Sequence, residues 1–271
     1  MEGLSSVKSQ GNSINRHAAT ALFVMLLVPG LGLAQAGAEA GKRLRVNYSF
    51  ETDFNSRYIW RGIAASEGPV EQSTARVTIN GLSVYVWGNR DIDRGLRRGE
   101  FNEIDFGVSY AREWKKLSVE PAFDYYLYCS PSRAEVPPTG EASLKLSYSV
   151  GRIRVFTKHS FDVSSYRGAY FGEAGLAYER RLGETGMKRK MIVASAVTLG
   201  WASAKFNEAN VGASKRALNV AGAKVSLTWT QMRRFYLRPH FEFSHIADRR
   251  LRGRLTSPTI GNFGFALGIN F

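Results

Sequence analysis

Histidines and serines are the residues of this chain with catalytic potential, and their spacing gives them little to do. His159 and Ser160 are adjacent, so on an extended strand they point to opposite faces and no base-to-nucleophile hydrogen bond can form. His240 shares a face with Ser160, but several strands away. His245 and Asp248, near a loop, offer an acid and base pair, which is the enzymatic alternative the chain carries. No His or Cys cluster has metal spacing, and no glycine-rich phosphate loop leads into a helix. The expectation is a non-enzymatic protein with no catalytic residue, no cofactor and no metal.

Charged residues at alternate positions offer a different chemistry. Glu51, Asp53, Glu103, Asp105, Glu120 and Asp124 come from the early part of the chain, whereas Arg76, Lys145, Arg152, Arg154, Lys158 and Arg238 come mostly from later parts. Facing one another across a narrow lumen, acidic and basic walls would set up a transverse field that orients charged or dipolar solutes. The other reading of the same residues is a salt-bridged plug that conducts nothing. Tyr85, Trp87, Tyr126 and Tyr236 share that face, as a stacking surface for sugars or as filling.

These residues sit in segments of period two. The last nine residues set Phe263, Phe265, Leu267, Ile269 and Phe271 against Gly264, Ala266, Gly268 and Asn270, a strand with one oily face. The same alternation predicts strands near 44–58, 70–79, 82–90, 102–112, 117–128, 141–150, from 153, 169–180, 191–206, 217–230 and 235–245. The ninth and tenth, rich in Ala, Gly, Val and Thr, have no clear register. With the terminal strand the set numbers twelve, the even count of a bacterial single-chain barrel with both termini in the periplasm. Asn80-Gly81, Glu113 to Lys116, Gly151 and Gln231 to Arg234 read as short periplasmic turns, and 181–190 as a long one. Loops near 61–69, 91–100, 129–140, 207–216 and 246–259 are longer and read as external. Tyr48, Trp60, Tyr110, Tyr148, Tyr170, Tyr178, Trp201 and Trp229, near strand ends, suit interfacial girdles. A secreted soluble β-sandwich shares such spacing, but strands of nine or more residues have membrane-spanning length.

At the N-terminus, Lys8 and Arg16 precede an apolar run, Ala18 to Val28, followed by Pro29-Gly30 and Ala34-Gln35-Ala36. This is the pattern of a secretory signal peptide over 1–36, leaving 37–271 as the barrel domain. The full chain carries a net charge of +14, and removing Glu2, Lys8 and Arg16 leaves +13. Beyond the leader no apolar run approaches a transmembrane helix, which excludes a helical membrane protein and leaves a barrel open. Cys129 stands alone, so no intrachain disulfide forms.

The segment Tyr58-Ile59-Trp60-Arg61-Gly62-Ile63, followed by Gly81-Leu82-Ser83-Val84-Tyr85-Val86-Trp87-Gly88-Asn89, resembles the opening of the TorF-type porins, and the likeness runs on through Glu103 to Tyr128. The resemblance covers about the first half of the mature chain and implies a porin-like outer-membrane barrel. It supplies no catalytic or binding residues. The terminal phenylalanine behind alternating apolar residues also looks like the signal read by the barrel-assembly machinery.

The sequence therefore predicts an antiparallel transmembrane β-barrel of about twelve strands in a bacterial outer membrane. Its expected role is passive diffusion of small hydrophilic solutes or ions, with Glu51, Asp53, Arg76, Glu120, Asp124, Lys145, Arg154, Lys158 and Arg238 in the lumen. The alternative is a non-conducting barrel that holds periplasmic cell-wall proteins through its turns. The excess positive charge lies mostly in loops and turns, and an exported β-chain meets lipopolysaccharide before it meets nucleic acid. Arg249, Arg250, Arg252 and Arg254 are the candidate lipopolysaccharide contacts.

Overall fold

The computed structural model describes residues 45–92, 101–129, 136–182, 190–231 and 234–271; the candidate leader, most of the 181–190 turn and the arginines at 94, 97 and 98 lie outside them. Twelve long strands follow one another: β1 Val46–Asn55, β2 Val70–Ile79, β3 Leu82–Asp91, β4 Glu103–Tyr110, β5 Leu117–Tyr128, β6 Thr139–Val150, β7 Ile153–Asp162, β8 Tyr170–Leu182, β9 Lys190–Ala202, β10 Ala217–Gln231, β11 Phe235–Ile246 and β12 Thr259–Asn270. Each pairs antiparallel with the next, and β1 pairs with β12, with Phe54 opposite Phe265. Arg112–Trp114 continues the ladder of β4 along β5. The sheet is thus a closed barrel without a free edge.

Alternation sorts the side chains as the period predicts. Phe263 is 68% exposed and Phe265 46%, on the outer face, whereas Asn262 and Ala266 on either side of the pair are buried on the inner one. The same inversion runs round the barrel, with Val84, Leu144, Val155 and Leu176 outside and Asn89, Asp124, Ser143 and Ser160 inside. Oily groups outside and polar groups inside is the arrangement of a barrel whose solvent is lipid, and such barrels belong to an outer membrane. Tyr48, Tyr110, Tyr148 and Trp229 stand exposed on that outer face.

Short turns behave as expected. Asn80 (φ 50°) and Gly81 (φ 93°) close β2 onto β3, both in the left-handed region that this pair tolerates. The long-loop end differs from the expectation in three places. β9 stops at Ala202 instead of running to 206, because the Ser203 hydroxyl accepts a hydrogen bond from the Phe206 amide (3.2 Å) and caps helix α1, Ala204–Val211. Its pairing with β10 slips by one residue there: Gly200 faces Val220 and Trp201 faces Leu218, so Asn219 is the extra residue of a bulge. Within 246–259 lies the one-turn helix α2, Arg249–Arg252, capped by Asp248. And the loop after β1 is a second hairpin, Tyr58–Trp60 with Ile63–Ser66, turned into the barrel mouth.

A hydrophobic cluster fills this end. Phe171 of β8, Phe206 of α1, Val220 of β10, Ile246 of β11 and Leu251 of α2 are buried together, with Trp60 of the hairpin packed against them. Trp60 therefore belongs to the interior, not to a membrane girdle, because its hairpin folds inward.

Candidate pore and its outer mouth

The hairpin is clasped at its base and at its tip. Ser56 Oγ and the Arg57 amide both donate to Asn262 Oδ1 (2.9 and 3.1 Å), and Asn262 Nδ2 donates to Asn55 Oδ1 (2.8 Å). At the tip, a Cβ on Gly62 (φ +84°) would sit 2.7 Å from Val220 Cγ2 and 3.0 Å from Ile246 Cδ1, so the turn abuts the β10–β11 wall. Arg61 precedes it at φ 52°, a conformation that a long unbranched side chain seldom adopts.

That strained residue is tied to the opposite wall. Arg61 Nη1 and Nη2 donate to Glu141 Oε1 and Oε2 of β6 (2.7 and 2.5 Å), a two-pronged pair. The guanidinium carbon lies 4.5 Å from the Trp60 ring centre, 4.8 Å from Phe171 and 5.4 Å from Phe206. Tyr126 also donates to Glu141 Oε2 (3.0 Å). Burial by itself disfavours the charged guanidinium, but the charge and hydrogen bonds of Glu141 outweigh it, and the Arg61 pKa stands above its ordinary value. Hairpin, cage and carboxylate together reach across the long-loop end of the lumen.

Below the hairpin the bore opens into a cavity of ≈ 650 Å³, bounded by Arg57 and Tyr58 of the hairpin stem and by Arg154, Lys224, Arg238 and His240 of the walls. All nine candidate lumen residues lie on the inner face in the strand register. Glu51 accepts from Arg238 Nη2 (2.6 Å) and from the Tyr236 hydroxyl; Asp53 meets His240 Nε2 at 2.9 Å. Arg76 stacks on the Tyr85 ring at 4.5 Å, and the Tyr85 hydroxyl donates to Asp124. Glu120 faces Lys145 and Lys145 faces Lys158 in register, and Arg154 lines the cavity.

The opposed walls expected from chain order are rearranged by closure. Glu51 and Arg238 come from opposite ends of the sequence, but only β12 separates their strands, so they pair along one wall. An acidic row near one end, with mixed charges such as Glu51 with Arg238 toward the other, replaces a transverse separation. Asp124, Glu141 and Asp162 form one row on β5, β6 and β7 near the long-loop end, and Arg152, Arg154 and Arg238 lie toward the short-turn end. The lumen tyrosines are occupied: Tyr85, Tyr126 and Tyr236 each donate to a carboxylate.

The histidines find other partners than a nucleophile. His159 faces outward, over Gly172, where its Nδ1 lies 2.8 Å from the Tyr170 hydroxyl. Trp201 Nε1 donates to that hydroxyl (3.0 Å). His245 Nδ1 is 2.7 Å from Thr259 Oγ1, while Asp248 caps α2 and binds Lys215 at 2.5 Å, so the two members of the alternative acid and base pair are each engaged elsewhere. Of the four loop arginines, Arg249, Arg250 and Arg254 are exposed. Arg252 donates to the carbonyls of Ile246 and Ala247 (3.1 and 2.6 Å) and is used within the loop.

Sequence reasoning missed the Arg61–Glu141 pair. A signal existed in the Arg-Gly step between two short apolar runs, but arginine is not a residue that announces a turn of this kind.

No family model matches the chain, and no curated protein does. Among solved structures, a NanC porin shares 12% identity at a TM-score of 0.47 over 82% of this chain and 98% of its own. LpxR from Salmonella typhimurium shares 7% at 0.48, over 82% and 99%. The outer membrane channel DcaP of Acinetobacter baumannii shares 8% at 0.40, over 88% and 100%. Likeness at this level carries no functional argument.

Proposed function

We propose that the protein is a porin-like outer-membrane channel for passive diffusion of small hydrophilic solutes or ions, with a narrow outer mouth formed by the inward hairpin. The observation that carries the reading is a polar, charged cavity of ≈ 650 Å³ inside a barrel whose outer face is oily. A barrel that served only as an anchor would gain nothing from a hydrated interior of that size. We infer that the exposed Arg249, Arg250 and Arg254 contact lipopolysaccharide phosphates and that β12 is the strand the assembly machinery reads; their exposure supports the first.

The packed mouth favours a second reading, a closed barrel that holds periplasmic cell-wall proteins. Reconstitution of the purified protein in planar bilayers separates the two. Discrete conductance steps are expected from a channel. A folded barrel that stays silent, with and without its Arg61 latch, would support the scaffold.

A further inference from the structure

The cage around Arg61 has the composition of a receptor for an organic cation. Phe171 and Phe206 present ring faces, Glu141 presents a carboxylate, and Tyr126 orients that carboxylate. All four belong to the barrel wall or to α1, so none of them is carried on the hairpin, although Phe206 also stacks on Trp60 of the hairpin at 5.7 Å. The occupant is the protein's own guanidinium, delivered by a backbone turn that arginine fits poorly (φ 52°). If the turn alone mattered, asparagine before Gly62 would serve it better.

A second observation points the same way. The wall around the cage is acidic, with Asp124 and Asp162 flanking Glu141 in register, and Asp105 keeps one carboxylate oxygen buried with no hydrogen-bond partner among the described residues. Such a wall attracts cations and repels anions at the outer mouth.

We propose that this cage is a recognition site for the guanidinium or ammonium group of an incoming solute, and that Arg61 occupies it as a tethered substitute, narrowing the mouth. The inference rests on the channel reading in that a solute must reach the cage through the mouth. A free cation competes with Arg61, releases the hairpin tip and takes the vacated place.

The test is chemical rescue. Arg61→Asn removes the guanidinium and leaves Asn-Gly, the sequence best suited to the turn; Arg61→Gly is a second variant should the first not fold. In detergent, each variant melts below the wild type. Guanidinium chloride at low millimolar concentration should raise its midpoint by about 3 to 6 °C, the shift that tenfold saturation gives in a chain of this size. Sodium chloride at equal ionic strength should not. The wild type, whose cage is filled by a guanidinium at the high local concentration of a tether, should not respond at this low millimolar concentration, nor should Arg61→Asn combined with Glu141→Gln. A guanidinium response no larger than the sodium response, or equal in the wild type, would overturn the proposal. Bilayer currents recorded in parallel keep the readings apart: silence in both wild type and variant defeats the channel, whereas currents without rescue defeat the cage.

Discussion

Tyr85 lies flat against Gly107 of the next strand, and its hydroxyl reaches Asp124 of the strand after that. Tyr236, Gly268 and Glu51 repeat the arrangement on β11, β12 and β1. In both, glycine removes the side chain that would hold the ring away from the backbone, and the phenol then bridges sideways to a carboxylate two strands off. A Cβ on Gly107 would come within 2.1 Å of Tyr85 Cζ, so Gly107→Val must push the ring out and break its bond to Asp124. The expected cost is about 1 to 3 kcal/mol in urea unfolding of the folded barrel in vesicles. Gly261→Ala, on the outer face with no atom nearer than 3.5 Å, is the control and should be close to neutral. Equal effects would mean that the ring does not pack there. The alternation of Tyr85 and Tyr236 with apolar neighbours was enough to put them inside. Their partners were not legible, because a contact across three strands depends on register, which local periodicity does not encode.

Strands were more legible than what joins them. β2 and β5 begin and end where alternation predicts, since a period of two is stamped on every residue. α1 was hidden because Ala202 and Ala204 continue an Ala-rich strand pattern, and only the Ser203 cap marks the change. α2 depends still more on its cap. Asp248 Oδ1 accepts from the amides of Arg250 and Leu251 (2.9 and 3.1 Å), and Oδ2 takes Lys215 Nζ at 2.5 Å. The Lys215 bond and the two amides hold the Asp248 pKa below its ordinary value. Its folded pKa being depressed, its contribution is present above the unfolded carboxylate value, near about 4, and disappears as pH falls through the lower folded value. Amide protection in 249–253, taken as exchange relative to the intrinsic rate at each pH, should therefore fall on acidification while protection in the strands does not. Asp248→Asn should keep the cap and abolish the pH dependence, and Asp248→Ala should cost about 1 kcal/mol locally. A pH response that survives Asp248→Asn would assign it to another group.

At the scale of the whole barrel, the reading depends on which solvent touches which face. Pattern alone allowed the oily side to be the core of a soluble sandwich; closure of β1 on β12 decides against that, because a ring of twelve strands has no second sheet to cover its outside. The inner side, by contrast, holds paired charges and a cavity of ≈ 650 Å³. Charge should therefore be costly outside and cheap inside, the reverse of a soluble protein. Phe265, mid-strand on β12 and stacked on Phe54 at 5.2 Å, faces lipid; Thr228 of β10, opposite Ile192, faces the lumen. Phe265→Arg should destabilise the folded barrel by about 2 to 4 kcal/mol in lipid vesicles, the cost of a cation near the bilayer midplane. Thr228→Lys should cost under about 0.5 kcal/mol, since water and counter-ions reach it. A soluble sandwich would give the same order, with residue 228 on the surface of one sheet and residue 265 buried between two, but neither penalty would then depend on lipid, so the lipid dependence is what discriminates. Repeating the unfolding in bilayers of shorter acyl chains adds a depth reading: as the hydrocarbon thins, the Phe265→Arg penalty should fall, while the Thr228→Lys value stays where it was.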